Sequence, residues 1–336
     1  MDNLCHSLVG AVMSAGGLRR RTGLATVTMV IGANLPDVDA VVYLTSDSST
    51  GLAFRRGWTH GVLAMLVLPV LLTAIMVIVG RAVERARSGR PRKALPMPIR
   101  PLQLLLVSAL AVWTHPLFDM LNTYGVRLLM PFSGRWFYGD ALFIIDPWVW
   151  AVLALGTAVS LRRARTVPVG AGTATVMRRA ERPARIAMAA VGTYVVVMLA
   201  TSTAGRVLVE REATSRGNPP ASHVMVGPQP LTPLRRSVVR ELPGHYEMGE
   251  LTWFPLRYRV SATAIPTGLE TATVRSAARA PAAQRFFVWS RFPYAETATQ
   301  PGAVSVRFDD ARYGGPGVRS FASVTVTLAD SITEPR

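Results

Sequence analysis

The sequence contains a single cysteine, Cys5, among 336 residues. One thiol cannot form an intramolecular disulfide, and it excludes a zinc site built from cysteines. Acidic residues are also scarce: the sequence has 20 Asp and Glu and 37 Lys and Arg. No basic n-region precedes the first apolar stretch, and the three arginines at 19–21 follow it, so no cleavable signal peptide is expected. No internal repeat is evident.

The sequence is rich in apolar residues. Half of the residues are hydrophobic and 17% are charged, and the mean hydropathy is positive. This composition is typical of a membrane protein with a soluble portion rather than of a soluble enzyme. The formal net charge of +17 is compatible with nucleic-acid binding when taken alone. Its distribution along the chain follows membrane topology instead, so no nucleic-acid partner is expected.

Six apolar runs define the predicted topology. Three of them, 61–80, 102–122 and 184–204, come close to the ~20 residues that a helix needs to cross the hydrocarbon core. A fourth, 143–161, is nearly as strong a candidate. Two at the N-terminus, 4–18 and 24–44, are weaker candidates. The run 24–44 is interrupted by Asn-Leu-Pro-Asp-Val-Asp at 34–39, which cannot lie in lipid as an ordinary helix.

Basic residues predict the orientation of these runs. Seventeen Lys and Arg lie in the segments 19–21, 81–100 and 162–185, whereas the alternate loops hold only four. The positive-inside rule places the seventeen in the cytoplasm. We therefore expect a multi-pass protein of the cytoplasmic membrane, with membrane lipids as its partners and any protein partner unknown.

Composition changes after the last apolar run. Residues 205–336 are rich in Pro, Arg, Thr and Val. Alternating stretches predict short strands at 237–242, 257–262, 286–291, 304–308 and 320–328. The expected fold is mainly α, with a membrane-embedded helical domain at 1–204 and a small β-rich extracytoplasmic domain at 205–336. His223 and His245 in this region are interpreted as solvated or packing residues.

His115 and Asp119 stand at the end of an apolar helix. They are four residues apart, so they share one helix face and can bind one ion. Ionisable groups at the end of a membrane-length apolar segment are costly unless they have partners or a function. These two residues are therefore the centre of a predicted metal site.

The predicted topology brings other histidines and carboxylates to the same outer side. The complete set of predicted metal ligands is His6, Asp37, Asp39, His60, His115 and Asp119. Imidazole and carboxylate ligands suit zinc, manganese or iron at a hydrolytic site, and the set is large enough for one or two ions. Pro36 disfavours a continuing helix and is expected to place Asp37 and Asp39 in a loop. Because they are two residues apart, both side chains point the same way if this loop is extended. Alternative interpretations are an interfacial His6 and a turn with a helix cap at Asp37 and Asp39.

Three further residues, Arg56, Asn122 and Asp146, are assigned catalytic or orienting roles. Arg56 can hold a substrate phosphate or carboxylate, and Thr59 can cap the following helix. Asn122 and Asp146 can orient ligand histidines through their second ring nitrogen. For Asp146, which precedes Pro147, a helix N-cap is the alternative interpretation.

Several short motifs resemble a known family. They are His6 with Gly10, Asn34-x-Pro36-Asp37-x-Asp39, Arg56-Gly57-x-Thr59-His60, His115-Pro116-x-x-Asp119-x-x-Asn122-Thr123-x-Gly125 and Ile145-Asp146-Pro147. Residues 1–160 thereby resemble the LexA-binding, inner-membrane-associated metal-dependent hydrolases (YdjM-like). The tail, with Phe-Asp-Asp-Ala-Arg-Tyr at 308–313, is similar to the extension of longer members.

This resemblance implies a distant likeness to zinc-dependent phospholipase C and to the single-strand-specific zinc nucleases. It implies that Asp37 or Asp39 joins His60, His115 and Asp119 around one metal, and that His6 lies with Asp119 near a second. The later histidines and glutamate that complete a three-zinc cluster in those soluble enzymes have no equivalent here.

The predicted function is metal-dependent hydrolysis of a phosphoester or lipid at the outer face of the cytoplasmic membrane, with zinc as the expected metal. The alternative is a metal-binding or regulatory membrane protein without hydrolytic activity. A transporter is disfavoured, because its charged groups are expected near the bilayer midplane rather than at one face.

Overall fold

The computed structural model describes residues 1–87, 97–166, 174–318 and 320–329. The chain forms two compact units. The first comprises Met1–Asp39 and Arg56–Ala200, and the second comprises Ala40–Arg55 and Thr201–Arg336. The short segment Ala40–Arg55 therefore belongs to the C-terminal unit, although the sequence places it within the predicted membrane domain.

In the described part of the chain, eight α-helices precede the first strand. They are α1 Asn3–Ala15, α2 Ala25–Asn34, α3 Val42–Thr45, α4 Ser48–Phe54, α5 Val62–Arg87, α6 Pro101–Met120, α7 Pro147–Arg165 and α8 Ala174–Ser215. Two 3-10 helices, Leu18–Arg20 and Leu35–Val41, join them. In the second of these, Pro36 does not force an extended chain, because proline's fixed φ is tolerated in the first turn of a helical segment.

Within the described residues, four helical stretches are long and apolar enough to cross a membrane. They are Ala25–Thr45, Val62–Ala86, Pro101–Met120 and Arg178–Ser215. The prediction of a polytopic, mainly helical membrane protein is thereby confirmed. Helix α7, which corresponds to the predicted run 143–161, is not among the four. Its last turn carries Arg162, Arg163 and Arg165, which lower its mean hydropathy.

The core of the first unit lies where its helices meet. Helix α1 packs against α2 and α7, α2 packs against α6, and α5 packs against α6. Buried Val9, Met29 and Leu104 contribute to this core. The Asp2 carboxylate caps α1 by accepting hydrogen bonds from the backbone N–H groups of Leu4 and Cys5, which fixes where the helix begins.

The second unit is rich in β-structure, as predicted. Its strands are β1 Val224–Gln229, β2 Thr232–Leu242, β3 His245–Trp253, β4 Leu256–Val260, β5 Ile265–Pro266, β6 Pro293–Gln300, β7 Ala303–Asp310 and β8 Val324–Ala329. One antiparallel sheet has the order β1-β2-β3-β4, with β5 paired to β3, and the other has the order β6-β7-β8. Buried Val239, Tyr246 and Tyr294 belong to a core cluster of this unit.

One predicted strand is wrong. Residues 286–291 lie mostly in a helix, α10 Pro281–Trp289, which follows α9 Ala272–Ala277. Proline at the first helical position favours helix initiation, and buried Ala283, Phe286 and Trp289 recur every three residues, which is a helical spacing. The strand prediction rested on alternation within 286–291, whereas the helical spacing becomes visible only when Ala283 is included.

Helix α10 packs against α4 within the second unit. The Arg285 side chain of α10 donates a hydrogen bond from Nε to the Ser49 hydroxyl, at 3.0 Å. Its guanidinium also lies 3.3 Å from the Asp47 carboxylate. The segment between Asp39 and Arg56 is thus held by residues that are more than 200 positions later in the sequence.

Asp310 at the end of β7 and Arg312 form a buried charge pair. The Asp310 carboxylate accepts hydrogen bonds from the Ser290 hydroxyl and the Arg291 N–H, both at 2.7 Å, and from the Arg312 guanidinium. Burial alone raises the pKa of Asp310, but the Arg312 charge and these hydrogen bonds outweigh that effect and lower the pKa to about 2. The ionised carboxylate is therefore a structural element of this unit.

Candidate metal centre

Four predicted ligands converge in the first unit. Asp37 comes from the 3-10 helix Leu35–Val41, His60 from the turn before α5, and His115 and Asp119 from α6. All four are buried, and one ligand atom from each lies within 4.8 Å of the others. The carboxylate and imidazole atoms therefore surround a volume of the size that one metal ion needs.

Individual distances locate the centre of this cluster at Asp119. Its Oδ2 atom lies 3.3 Å from His60 Nε2 and 3.5 Å from His115 Nε2. The Asp37 Oδ1 atom lies 3.9 Å from His60 Nε2 and 3.7 Å from His115 Nε2. The spacing of four residues between His115 and Asp119 places both on one face of α6, as predicted from the sequence.

The hydrogen bonds of the two histidines determine their tautomers. His115 Nδ1 lies 2.6 Å from the Ala33 carbonyl oxygen, so this nitrogen carries the proton and donates. The Thr59 hydroxyl donates to Asp39 Oδ2 at 2.9 Å, so its oxygen accepts from His60 Nδ1, also at 2.9 Å. Both Nε2 atoms therefore direct lone pairs toward Asp37 and Asp119. This concentration of electron-pair donors fits a divalent cation.

Asp39 orients the site rather than joining the four ligands. Its Oδ2 atom accepts hydrogen bonds from the Arg56 backbone N–H at 2.8 Å and from the Thr59 hydroxyl, and lies 3.5 Å from His60 Nδ1. The expectation that Asp37 and Asp39 point the same way is wrong, because the segment is a 3-10 helix with three residues per turn. The two carboxylates consequently serve different sides of His60.

His6 stacks on the ligand His115. The two ring centroids lie 3.7 Å apart, at an interplanar angle of 18°. His6 Nε2 lies 3.4 Å from Asp119 Oδ1 and forms no hydrogen bond among the described residues. The amino group of Met1 also contacts Asp119 Oδ1. His6 is thus beside the four-ligand cluster, in a position to interact with the outer oxygen of Asp119.

Arg56 supplies a buried cation next to the cluster. Its Nε atom lies 3.1 Å from Asp119 Oδ2, and its side chain is 4% exposed. One terminal nitrogen donates to Asn122 Oδ1 at 3.1 Å and to the Gly125 carbonyl at 3.3 Å. The guanidinium also lies over the Tyr124 ring, 4.5 Å from its centroid. These contacts hold a positive charge at a defined point beside the predicted ligands.

Asn122 shapes the turn that follows α6. Its Oδ1 atom accepts hydrogen bonds from the backbone N–H groups of Tyr124, at 2.9 Å, and Gly125, at 3.2 Å. Gly125 has a φ of 87°, and a Cβ there would lie 2.4 Å from the Tyr138 ring. The motif Asn-Thr-x-Gly is therefore explained by a tight turn that presents Asn122 to Arg56.

Asp146 is engaged elsewhere in the first unit. Its carboxylate caps α7 by accepting hydrogen bonds from the backbone N–H groups of Trp148 and Val149, and it accepts one from the Tyr194 hydroxyl at 3.1 Å. The structure does not bring it into the four-ligand cluster, and the helix N-cap interpretation accounts for its contacts.

In the second unit, His223 is exposed and pairs with Glu241.

Arg127 was overlooked in the sequence, where it counted only as one of four outward charges. It is buried, and its backbone N–H donates to the Arg56 carbonyl at 2.9 Å. Its guanidinium lies 5.0 Å from the Trp136 ring centroid and against Gly57. Arg127 therefore supports the turn that carries Arg56, Thr59 and His60. No sequence signal distinguishes it, because a single arginine in a loop carries no pattern.

Comparison with known proteins identifies the family of the chain. The profile of the YdjM inner membrane protein family matches residues 1–204, and the chain belongs to that family. A relative in Bacillus subtilis (strain 168), the uncharacterized protein YfhP, is 26% identical over 123 residues, which are 37% of this chain and 32% of the relative. The chain thus matches about a third of that relative's length. No solved structure matches the chain.

Proposed function

We propose that this protein is a membrane-bound metal-dependent hydrolase that acts on a phosphoester or lipid at the outer face of the cytoplasmic membrane. The proposal is carried by one observation: donor atoms of Asp37, His60, His115 and Asp119 converge within 4.8 Å. Zinc is the preferred metal, because two imidazoles and two carboxylates without a thiolate suit it at a hydrolytic site.

The residues around these four atoms have separable tasks. When bound, a divalent metal ion would polarise an ester or phosphoryl oxygen and lower the pKa of a water molecule. Asp39 and Thr59 hold the His60 ring with Nδ1 protonated, and the Ala33 carbonyl does the same for His115. Both rings therefore keep Nε2 available as a ligand atom.

Arg56 is the proposed substrate-binding cation. Its guanidinium is fixed by Asp119 and Asn122 and carries a charge that matches an anionic substrate oxygen. Arginine binds phosphate through paired N–H groups, and a phosphoester is therefore the favoured substrate class.

The test is a hydrolysis screen of the purified full-length protein in detergent. Substrates are a nitrophenyl phosphodiester, a nitrophenyl carboxyester and a phospholipid. The expected result is phosphodiester or phospholipid hydrolysis that a strong chelator abolishes and zinc restores. Arg56→Gln should retain the metal and lose activity by roughly 100-fold or more, as expected when a charge-stabilising donor is removed.

Two results would overturn the proposal. Activity that survives exhaustive chelation would exclude the metal mechanism. A protein that holds metal but hydrolyses none of the three substrates would favour a metal-binding or regulatory role without hydrolysis.

A further inference from the structure

A groove of about 490 Å³ lies between α7 and α8 in the first unit. Most of its wall is apolar, and its charged groups are two arginines. The apolar wall includes Val152, Leu155, Val159, Ile186 and Ala190. Leu155 and Ile186 are 66% and 57% exposed, so the groove opens outward rather than into the helical core.

The two helices cross closely at Gly156. A Cβ on Gly156 would lie 2.3 Å from the Ala187 Cβ, so only glycine allows this approach. One turn further along α7, the Ser160 hydroxyl accepts a hydrogen bond from the Ala184 N–H at 2.8 Å. Moving forward along α7 therefore corresponds to moving backward along α8, and the pair is antiparallel.

This geometry places both arginines of the groove at the same end. Arg163 follows Gly156 by about 10 Å along α7, and Arg182 precedes Ala187 by about 7.5 Å along α8, at 1.5 Å per residue. Beyond the crossing, Val152 and Ala190 continue the groove in the opposite direction. The groove thus has a basic end and an apolar body.

The nearby acidic residue does not neutralise this end. Glu181 is buried and pairs with Arg20 at 2.7 Å and with Arg185 at 2.8 Å. Arg163 and Arg182 are exposed, and within the described parts of the chain neither forms an ion pair with a carboxylate. Two positive charges therefore remain at one end of the apolar groove.

We propose that this groove binds one anionic phospholipid. The phosphate lies against Arg163 and Arg182, and an acyl chain lies along Val152, Leu155 and Ile186. Phospholipid is the occupant because Arg178–Ser215 of α8 is long and apolar enough to cross a membrane, and basic pockets between membrane helices match anionic headgroups. This proposal is independent of hydrolysis at the metal centre.

Native mass spectrometry of the full-length protein, titrated with phosphatidylglycerol or phosphatidylcholine of identical acyl chains, tests the headgroup contact. We expect one tightly bound phosphatidylglycerol and weaker binding of phosphatidylcholine. Arg163→Gln with Arg182→Gln should weaken phosphatidylglycerol binding by roughly 30-fold, about fivefold from each arginine.

The matched control is Arg162→Gln with Arg179→Gln. These arginines are exposed, neighbour the groove pair in sequence and do not line the groove. Their replacement removes the same net charge and should leave the affinity unchanged. Equal losses in both double variants, or equal binding of the two lipids, would show non-specific attraction and overturn the proposal.

Leu155→Trp tests the acyl-chain contact, because the larger side chain fills the groove while both arginines remain. It should reduce phosphatidylglycerol binding, whereas Leu161→Trp, on the same helix but outside the groove, should not. Circular dichroism of both variants checks that they fold. If the groove instead holds a second copy of the chain, Leu155→Trp will dissociate a dimer that forms without phosphatidylglycerol, and the lipid assignment will be wrong.

Discussion

His60 and His115 face each other with their Nε2 atoms 3.1 Å apart. Each ring has its Nδ1 proton committed, to Thr59 in one case and to the Ala33 carbonyl in the other. Two imidazole lone pairs at this distance repel each other unless a cation or a proton lies between them. The pair therefore fits a centre in which a cation lies between the two rings.

Removing one of these imidazoles should remove the metal. His115→Ala in the purified full-length protein should reduce bound zinc from about one ion per chain to near zero, because one of four ligands is lost. Elemental analysis after dialysis measures this. His223→Ala, which changes an exposed histidine of the second unit, is the control and should retain the metal. Equal metal content in both variants would refute the site.

The two neighbouring carboxylates should respond differently to substitution. Asp37→Asn replaces a ligand oxygen and should abolish metal binding. Asp39→Asn leaves the ligands in place but disturbs the hydrogen bonds that orient His60, so metal affinity should fall by roughly 10- to 100-fold. Competition with a zinc-chelating dye gives both affinities. If Asp39→Asn loses all metal and Asp37→Asn does not, the assigned roles are reversed.

Local patterns predicted the central residues of this site, and backbone geometry decided the rest. His115 and Asp119 were identifiable because helical spacing fixes their common face. The roles of Asp37 and Asp39 were not, since a spacing of two residues has opposite consequences in a strand and in a 3-10 helix. Arg127 and the Ala33 carbonyl contribute through contacts between distant segments, which leave no periodic signal.

Asp146 and the segment 286–291 illustrate the same limit. Aspartate before proline predicts either an orienting group or a helix cap, and only its contacts with α7 and Tyr194 distinguish them. Aromatic and β-branched residues at 286–291 favour a strand, yet Pro281 and the spacing of buried residues favour α10. In contrast, four of the six predicted apolar runs correspond to helical stretches that can cross a membrane, because length and hydropathy are properties of the sequence itself.

Cysteine labelling tests the orientation of the membrane unit. In a Cys5→Ala background, Gly134→Cys should react with a membrane-impermeant maleimide in intact spheroplasts, and Thr166→Cys should react only after permeabilisation. A side chain at Gly134 meets open space, and Thr166 is exposed, so neither change should disturb the fold. The opposite labelling pattern would place the centre on the cytoplasmic side.

Acid should weaken the second unit through Asp310. The folded-state pKa of about 2 lies below the usual value near 3.9, so the stabilisation is complete above pH ~4 and disappears as the pH falls toward 2. Asp310→Asn should destabilise this unit by roughly 2 kcal/mol at neutral pH, and the difference from the unchanged protein should shrink on acidification. Hydrogen exchange of peptides spanning 290–313 in the full chain measures this.

Glu212→Gln is the control for that experiment. Glu212 pairs with Arg216 on the surface of α8, with both side chains more than 40% exposed, so its loss should change stability by less than about 0.5 kcal/mol. A pH-independent difference between Asp310→Asn and the unchanged protein would show that the carboxylate's charge is not responsible.

The segment Ala40–Arg55 has a practical consequence for anyone who divides this protein into parts. It is joined directly to Asp39 at one end and to Arg56 at the other, and its helix α4, which contains the buried Leu52, packs against α10. Deleting the C-terminal region would leave α4 without its packing partner. The segment between Asp39 and Arg56 would then become a flexible loop, and holding these two residues together would cost more conformational entropy. A truncated protein that keeps only the membrane helices is therefore a poor reagent for metal or activity measurements, and its failure would say nothing about the intact chain.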